Sequence, residues 1–280
     1  MTGLSDLIIE PVVRAALAED LGRAGDITSN ACLAPDARFA ARFAAREDGV
    51  VSGLGCARLA IALMDPVARF EIVHPDGAHV RAGAILAKAD ANARALLAAE
   101  RTALNLLCRL SGIASLTAKF VAETEGTRAR IVDTRKTTPG LRALEKYAVR
   151  CGGGANHRFG LDDAILIKDN HVAACGGVGE AVRRARAAVG HMVKIEVEID
   201  RLSQLDEALA EDPDIIMLDN FPLTDMAEAV RQTRGRALLE ASGGVNLKSV
   251  RAIAGTGVDL ISVGALTHSA PTLDIGLDAA

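Results

Sequence analysis

The 280-residue chain has no Trp, one Tyr and six Phe. With so few aromatics, its core must be built from Ala, Leu, Val and Ile. Half of the residues are hydrophobic, so that core is sizeable. The scarcity also removes the stacking platforms of sequence-tolerant nucleic-acid binders, and a net charge of −4 removes their basic groove. No nucleic-acid partner is expected. Cys32, Cys56, Cys108, Cys151 and Cys175 are odd in number and widely spaced, without a Cys-x-x-Cys pair. Neither a zinc site nor a disulfide framework is indicated, and reduced cytoplasmic thiols are expected. The stretch MTGLSDLIIEPVV lacks a basic region followed by a long apolar segment, so no signal peptide is expected. No uncharged apolar run approaches 18 residues, so no membrane partner is expected. A P-loop, GxxxxGKS or GxxxxGKT, is also missing.

What is present falls into two textures. Up to about residue 110, short helices and strands mix. DLIIEPVVRAALAED reads as an amphipathic helix. FAARFAAREDGVVSGL and RFEIVHPDGAHVRAGAILAKAD read as strands joined by turns at Asp48-Gly49 and Asp76-Gly77. The run from Ala91 to Thr124 reads as one or two long helices, with Gly112 a plausible break. From about 130 onward, six apolar runs alternate with helices: ARIVDT, AILIKDN, VKIEVEID, DIIMLDN, ALLEASGG and VDLISVGAL. That alternation implies a parallel sheet covered by helices, closed or nearly closed into a barrel. Thr138 can cap the first of these helices, with Pro139 at its first position.

The 280 residues suffice for a barrel with a smaller companion domain. Each strand-like run ends in chemistry. Asp133, Thr134, Arg135 and Lys136 follow the first, and Lys168, Asp169 and Asn170 the second. Glu198 ends the third, and Asp219 and Asn220 the fourth. Ser242, Gly243 and Gly244 follow the fifth, and Gly264 and Ala265 the sixth. Barrel sites are built from the C-terminal ends of strands, so these residues are expected around one mouth. Residues 133 to 171 alone carry seven Arg or Lys and two His against five acids. Arg135, Arg158, Lys136 and Lys168 suit carboxylates or phosphates. Glu198 and Asp219 suit Mg²⁺, and the glycine turns suit a phosphate. The set points to an anionic substrate and to phosphate or pyrophosphate chemistry.

Blander readings stand beside these. His74 and His79 read as surface residues, while His157 and His171 lie among the charges. Arg142, Lys146 and Arg150 fall at fourfold spacing and read as a solvated helix face. Gly152 to Gly154 alone signals only a loop. A Schiff-base aldolase-type barrel using Lys136 or Lys168 is one alternative. A lipoyl-type carrier is another, although neither Asp-Gly turn holds a lysine.

Taken in order, ERTALNLLCRLSGIAS, DTRKTTPGLRALEKYAVRCGGGANHRFGLDDAILIKDNH, EVEID, IMLDN, EASGGVN and ISVGALTHS closely resemble the quinolinate phosphoribosyltransferase family. GDITS at Gly25 to Ser29 extends the resemblance over almost the whole chain. It implies a type II phosphoribosyltransferase with an N-terminal open-faced α/β sandwich, residues 1–111, and an incomplete (β/α) barrel, residues 112–268. The tail, 269–280, is expected to return to the first domain. The implied reaction joins quinolinate to 5-phosphoribosyl-1-pyrophosphate with Mg²⁺, giving nicotinate mononucleotide, pyrophosphate and CO₂ for NAD biosynthesis. A related enzyme acting on another aromatic acid is the near alternative.

By the same resemblance, Arg135, His157, Arg158 and Lys168 surround quinolinate, with Arg101 from the partner, and Thr134 is a further substrate-binding residue. Lys136 lies between quinolinate and the ribosyl donor. Glu198 and Asp219 face the ribose and the metal. Ser242, Gly243 and Gly244, with Val263, Gly264 and Ala265, form the phosphate turns. Lys136, Lys168, Glu198 and Asp219 are the expected catalytic set. A homodimer with shared sites is implied, in which Arg101 serves the partner; by pattern alone Arg101 is a surface helix charge.

Overall fold

The structure, a computed structural model, describes residues 3–280. The chain divides into two compact units. The first takes residues up to 118 with 137–153 and 266–280; the second takes 119–136 and 154–265. In chain order, α1 (Asp6–Leu21) starts where the Ser5 hydroxyl accepts the Leu7 N–H, and it buries Ile9, Val13 and Leu17 along one stripe. Asp26 caps α2 (Ile27–Cys32) by accepting from Thr28 and Ser29. Next come β1 (Arg38–Ala45), β2 (Gly49–Val50), α3 (Leu54–Met64), β3 (Arg69–Ile72), β4 (His79–Val80) and β5 (Ile85–Asn92). The long α4 (Ala93–Glu123) buries Leu96, Ala99, Ala103, Leu107, Leu110 and Ala114 at helical spacing. Among the described helices it is the one long and apolar enough to cross a membrane, but 56% of its most apolar window is buried inside the protein, as in a core helix.

The chain continues through β6 (Arg130–Val132), α5 (Arg142–Cys151), β7 (Ile165–Ile167), α6 (Asp169–Cys175) and α7 (Val178–Ala188). Then come β8 (Ile195–Ile199), α8 (Leu205–Ala210), β9 (Ile215–Asp219), α9 (Leu223–Thr233) and β10 (Leu238–Ser242). The last elements are α10 (Val250–Gly255), β11 (Leu260–Ser262), α11 (Ala265–His268) and β12 (Ile275–Ala279).

In the second unit, six parallel strands lie in the order β6-β11-β10-β9-β8-β7. β6 and β7 are its two edges, so the barrel is incomplete. Ile131, Ile167, Val197, Ile216, Leu218, Leu239 and Ile261 are buried on one face, against which helices such as α7 and α10 pack. The alternate residues of β8, β9 and β10 point the other way. The ladder sets Glu198, Met217 and Glu240 side by side, with Asp219 and Ser242 one pleat further on. The period of two in a strand therefore stacks polar side chains toward the C-terminal ends.

In the first unit, an antiparallel sheet runs β12-β1-β5-β3. The C-terminal strand is an integral part of it, with Phe43 opposite Leu277.

Several local expectations are corrected. Gly112 does not break α4; the helix runs through it. A Cβ there would lie 2.0 Å from the Pro271 carbonyl oxygen, so glycine admits the returning tail. Helix α5 begins at Arg142, not at Pro139. Thr138 to Leu141 form a turn, closed by Leu141 N–H to Thr138 O (3.0 Å) with Gly140 at φ +81°. Lys146 is no solvated charge but only 3% exposed, on a helix where Leu144 to Val149 are all buried; Arg150 is exposed as expected. Neither Asp-Gly pair makes a hairpin, because β3 pairs with β5 while β2 pairs with β4. Asp76 instead accepts the Gly53 and Leu54 N–H groups (both 3.1 Å) at the start of α3, and the Tyr147 hydroxyl (3.0 Å). His79 is exposed, but His74 is half-buried, its ring nitrogen 2.8 Å from Ile85 O.

Candidate active site

A cavity of about 480 Å³ opens at the C-terminal strand ends of the six-stranded sheet. The sequence separates its two main cationic segments by some twenty residues, and the fold joins them. Ala155 bridges to Val132 alongside β6. Buried Asp133 then accepts from Asn156 Nδ2 (2.6 Å) and His157 N–H (2.9 Å). This latch sets Thr134-Arg135-Lys136 beside His157-Arg158 at one side of the mouth. Asp163 shapes the next turn by accepting the Phe159 and Gly160 N–H groups (2.6 and 2.9 Å).

Arg135 and Arg158 are half-buried, and the Nε of each is sealed from solvent without a hydrogen-bond partner. Arg158 gives one Nη1 bond, to Ala164 O (3.0 Å). Burial, then repulsion from Arg135, pulls the Arg158 guanidinium below its usual pKa. Two partly desolvated cations facing one cavity are chemically suited to an anion.

Lys168, Asp169, Glu198, Asp219 and Ser242 line the same cavity. The Lys168 N–H donates to His171 Nδ1 (2.9 Å), which fixes the start of α6. Burial, then repulsion from Asp219, raises the Glu198 carboxyl above its usual pKa, with Lys168 opposing. Two oxygen-only side chains that repel each other in one cavity fit a hard divalent cation, whose charge would relieve the repulsion.

Thr134, Arg135, Lys136, His157, Arg158, Lys168, Glu198, Asp219 and Ser242 are thus gathered together. Gly243, Gly244, Val263, Gly264 and Ala265 are not among the lining residues. Gly243 lies at φ +93°, and a Cβ on it would sit 2.1 Å from Asn220 Oδ1, so this turn admits only glycine. The Val263 N–H donates to Val132 O (3.0 Å) and extends the β6–β11 ladder. Arg101 is exposed on α4, in the first unit.

Sequence reasoning missed Leu166, Met217, Glu240 and Ser262 in the lining, and Glu196 behind it. Strand parity was the available signal, since Glu196 is two residues before Glu198 and Glu240 two before Ser242. A second cavity, of about 370 Å³ in the first unit, is bordered by Leu4, Ile9, Leu110 and Tyr147 and gathers no comparable set of cations.

An incomplete parallel barrel with guanidiniums, lysines and paired carboxylates at its strand ends belongs to the class of barrel enzymes that handle anionic substrates. Comparison with known sequences narrows the class. The N-terminal domain of quinolinate phosphoribosyl transferase matches residues 26–111, and its C-terminal domain matches residues 113–278. The chain belongs to the quinolinate phosphoribosyltransferase family. It is 50% identical to the nicotinate-nucleotide pyrophosphorylase [carboxylating] of Mycobacterium leprae, over 95% of each chain. A probable enzyme of the same name from Bacillus subtilis is 44% identical over 98% of this chain and 94% of its own. The solved nicotinate-nucleotide pyrophosphorylase of Francisella tularensis superposes with a TM-score of 0.95 at 41% identity, over 99% of this chain and 98% of that one.

Proposed function

We propose that the cavity binds quinolinate and 5-phosphoribosyl-1-pyrophosphate together and joins them with loss of CO₂, the carboxylating nicotinate-nucleotide pyrophosphorylase reaction. The observation that carries this reading is the pair of buried, unpartnered Nε groups on Arg135 and Arg158, in one cavity with Glu198 and Asp219. Two guanidiniums suit a dicarboxylate; a carboxylate pair suits the hydroxyls and metal of a ribosyl donor.

The chemistry needs no covalent nucleophile. The quinolinate ring nitrogen attacks the anomeric carbon as the bond to pyrophosphate breaks. Positive charge grows on the sugar and negative charge on the leaving group. Glu198 and Asp219 orient the ribose hydroxyls and stabilise the cationic sugar. Lys136 and Lys168 hold both anions close despite their repulsion. The turns Ser242-Gly243-Gly244 and Val263-Gly264-Ala265 receive the phosphate of the donor. Mg²⁺, held through Glu198, Asp219 and oxygens of the donor, would neutralise charge on pyrophosphate when bound.

Alkylation leaves the ring nitrogen cationic. The adjacent carboxylate then departs as CO₂, and its bonding electrons remain on carbon beside that nitrogen until a proton is taken up. The other carboxylate stays under the grip of Arg135 and Arg158. Arg101 reaches the site of a partner subunit in a homodimer. The absence of a second anchoring carboxylate argues against nicotinate as the acceptor.

Arg135→Ala tests the site. Loss of this desolvated cation should weaken quinolinate binding by about 2–5 kcal/mol, in part by leaving the acceptor's charge unpaired. Near-normal quinolinate affinity in a folded variant would remove Arg135 from the site.

A further inference from the structure

The cavity wall and the barrel interior behind it hold two acids, Glu240 and Glu196, that the proposed reaction does not use. Glu196 on β8 and Glu240 on β10 flank β9, and are 3% and 0% exposed. His157 Nε2 lies 2.8 Å from Glu196 Oε2 and 3.8 Å from Glu240 Oε1. Glu196 Oε1 and both Glu240 oxygens are buried without a hydrogen-bond partner. Buried carboxylate oxygens without partners are costly, so a role beyond packing is needed to account for them.

The hydrogen bonds of His157 reveal that role. Its Nδ1 accepts the Arg158 backbone N–H at 2.8 Å. A nitrogen that accepts carries no proton, so the ring is neutral and its proton is on Nε2. That proton is donated to Glu196. Both ring nitrogens are thus engaged inside the protein. The backbone of His157 is in turn held by Asp133.

We infer that Glu196 is a positioning residue, with Glu240 packed beside it: it fixes the tautomer and orientation of His157, which in turn seats Arg158. The inference rests on the reading of Arg158 as part of the acceptor's grip, and deepens it. The Glu196 carboxylate also offsets the charge of Arg158, and its attraction opposes the lowering of that group's pKa. A carboxylate that orients a histidine in this way is common behind metal-ligating histidines, and here it stands behind a histidine that seats an arginine.

Two measurements test the inference. The first is ¹⁵N–¹H correlation NMR of the His157 ring in the full-length protein. The Nε2–H tautomer is expected in the wild type and in Glu240→Gln, whose amide mimics a neutral acid. A ring found as the Nδ1–H tautomer or as imidazolium overturns the inference, whatever the substrate proves to be.

The second compares Glu196→Gln with Glu196→Leu. Leucine removes the acceptor and should raise the KM for quinolinate about 10- to 100-fold, the loss expected from one buried hydrogen bond, while the KM for the ribosyl donor moves by less than about twofold. Glutamine keeps an acceptor oxygen and should restore most of the difference. Equal rises in both KM values would mark a merely structural role and overturn it. Should Glu196→Leu fail to fold, the spectrum and the Gln variant decide. Glu196, Glu240 and His157 also offer three donor atoms within 4.8 Å of one another. Zinc retained through dialysis against chelator and lost in Glu240→Gln would overturn the hydrogen-bonded arrangement. Absence of turnover in wild type would instead count against the functional reading, and leave the spectrum to judge the tautomer.

Discussion

Arg135 and Arg158 are not fully satisfied by the protein's own groups. Each buries its Nε without a partner, and each repels the other. A bound anion would relieve both deficits, which favours its binding. Glu240 shows the same tension with opposite sign. Burial first, and Glu196 second, push its carboxyl from 4.5 to about 8. Between those values the folded protein holds a proton that the unfolded chain has released. Stability from this group is therefore present at low pH and lost as pH rises through that window. Glu240→Gln removes the group, so its melting temperature should gain on wild type as pH is raised from about 5 to about 9. Parallel melting curves across that range would show that Glu240 does not titrate this way. The strand-end residues were legible because each apolar run stops at a polar one. Glu196 and Glu240 were not, because an acid inside an apolar run reads as an interruption until the sheet faces are known. Lys146 misled for the reverse reason: fourfold spacing marks one face of a helix, but not which face meets solvent.

At the scale of elements, the six strands and intervening helices follow from alternating apolar runs, and the sheet order adds that the barrel is open between β6 and β7. Pairings between distant segments are harder to read. β12 joins β1, and β2 meets β4, through ladders that no local pattern specifies. An Asp-Gly pair marks a turn but not the partners on either side of it. The same limit applied at Gly112, where glycine signals either a helix break or a close approach. The Pro271 carbonyl decides for close approach. Gly112→Ala should therefore clash with the tail and destabilise the protein by about 1–3 kcal/mol, read from denaturant midpoints. An unchanged or raised midpoint would show that the tail is not packed against this turn of α4.

At the scale of the molecule, the net charge is −4, and the mouth sets Arg135, Lys136, Arg158 and Lys168 in one cavity with four carboxylates, Asp169, Glu198, Asp219 and Glu240, so its cations act at particular places and not as a net positive field. Attraction of doubly anionic substrates is then local rather than global. Arg101 was legible only as an exposed helix charge, and exposed it is. Its proposed service to a partner subunit has a direct test. Arg101→Ala and Lys168→Ala subunits, each inactive alone, should regain activity when mixed, because one site of the heterodimer would then be intact. A verified heterodimer without activity would contradict shared sites.

The central claim is that one mouth couples glycosyl transfer to decarboxylation. The most direct measurement follows CO₂ and nicotinate mononucleotide together, with quinolinate, 5-phosphoribosyl-1-pyrophosphate and Mg²⁺. The account predicts equal release of both, and none when nicotinate replaces quinolinate. Nucleotide formed from nicotinate, or no product from folded protein, would contradict it.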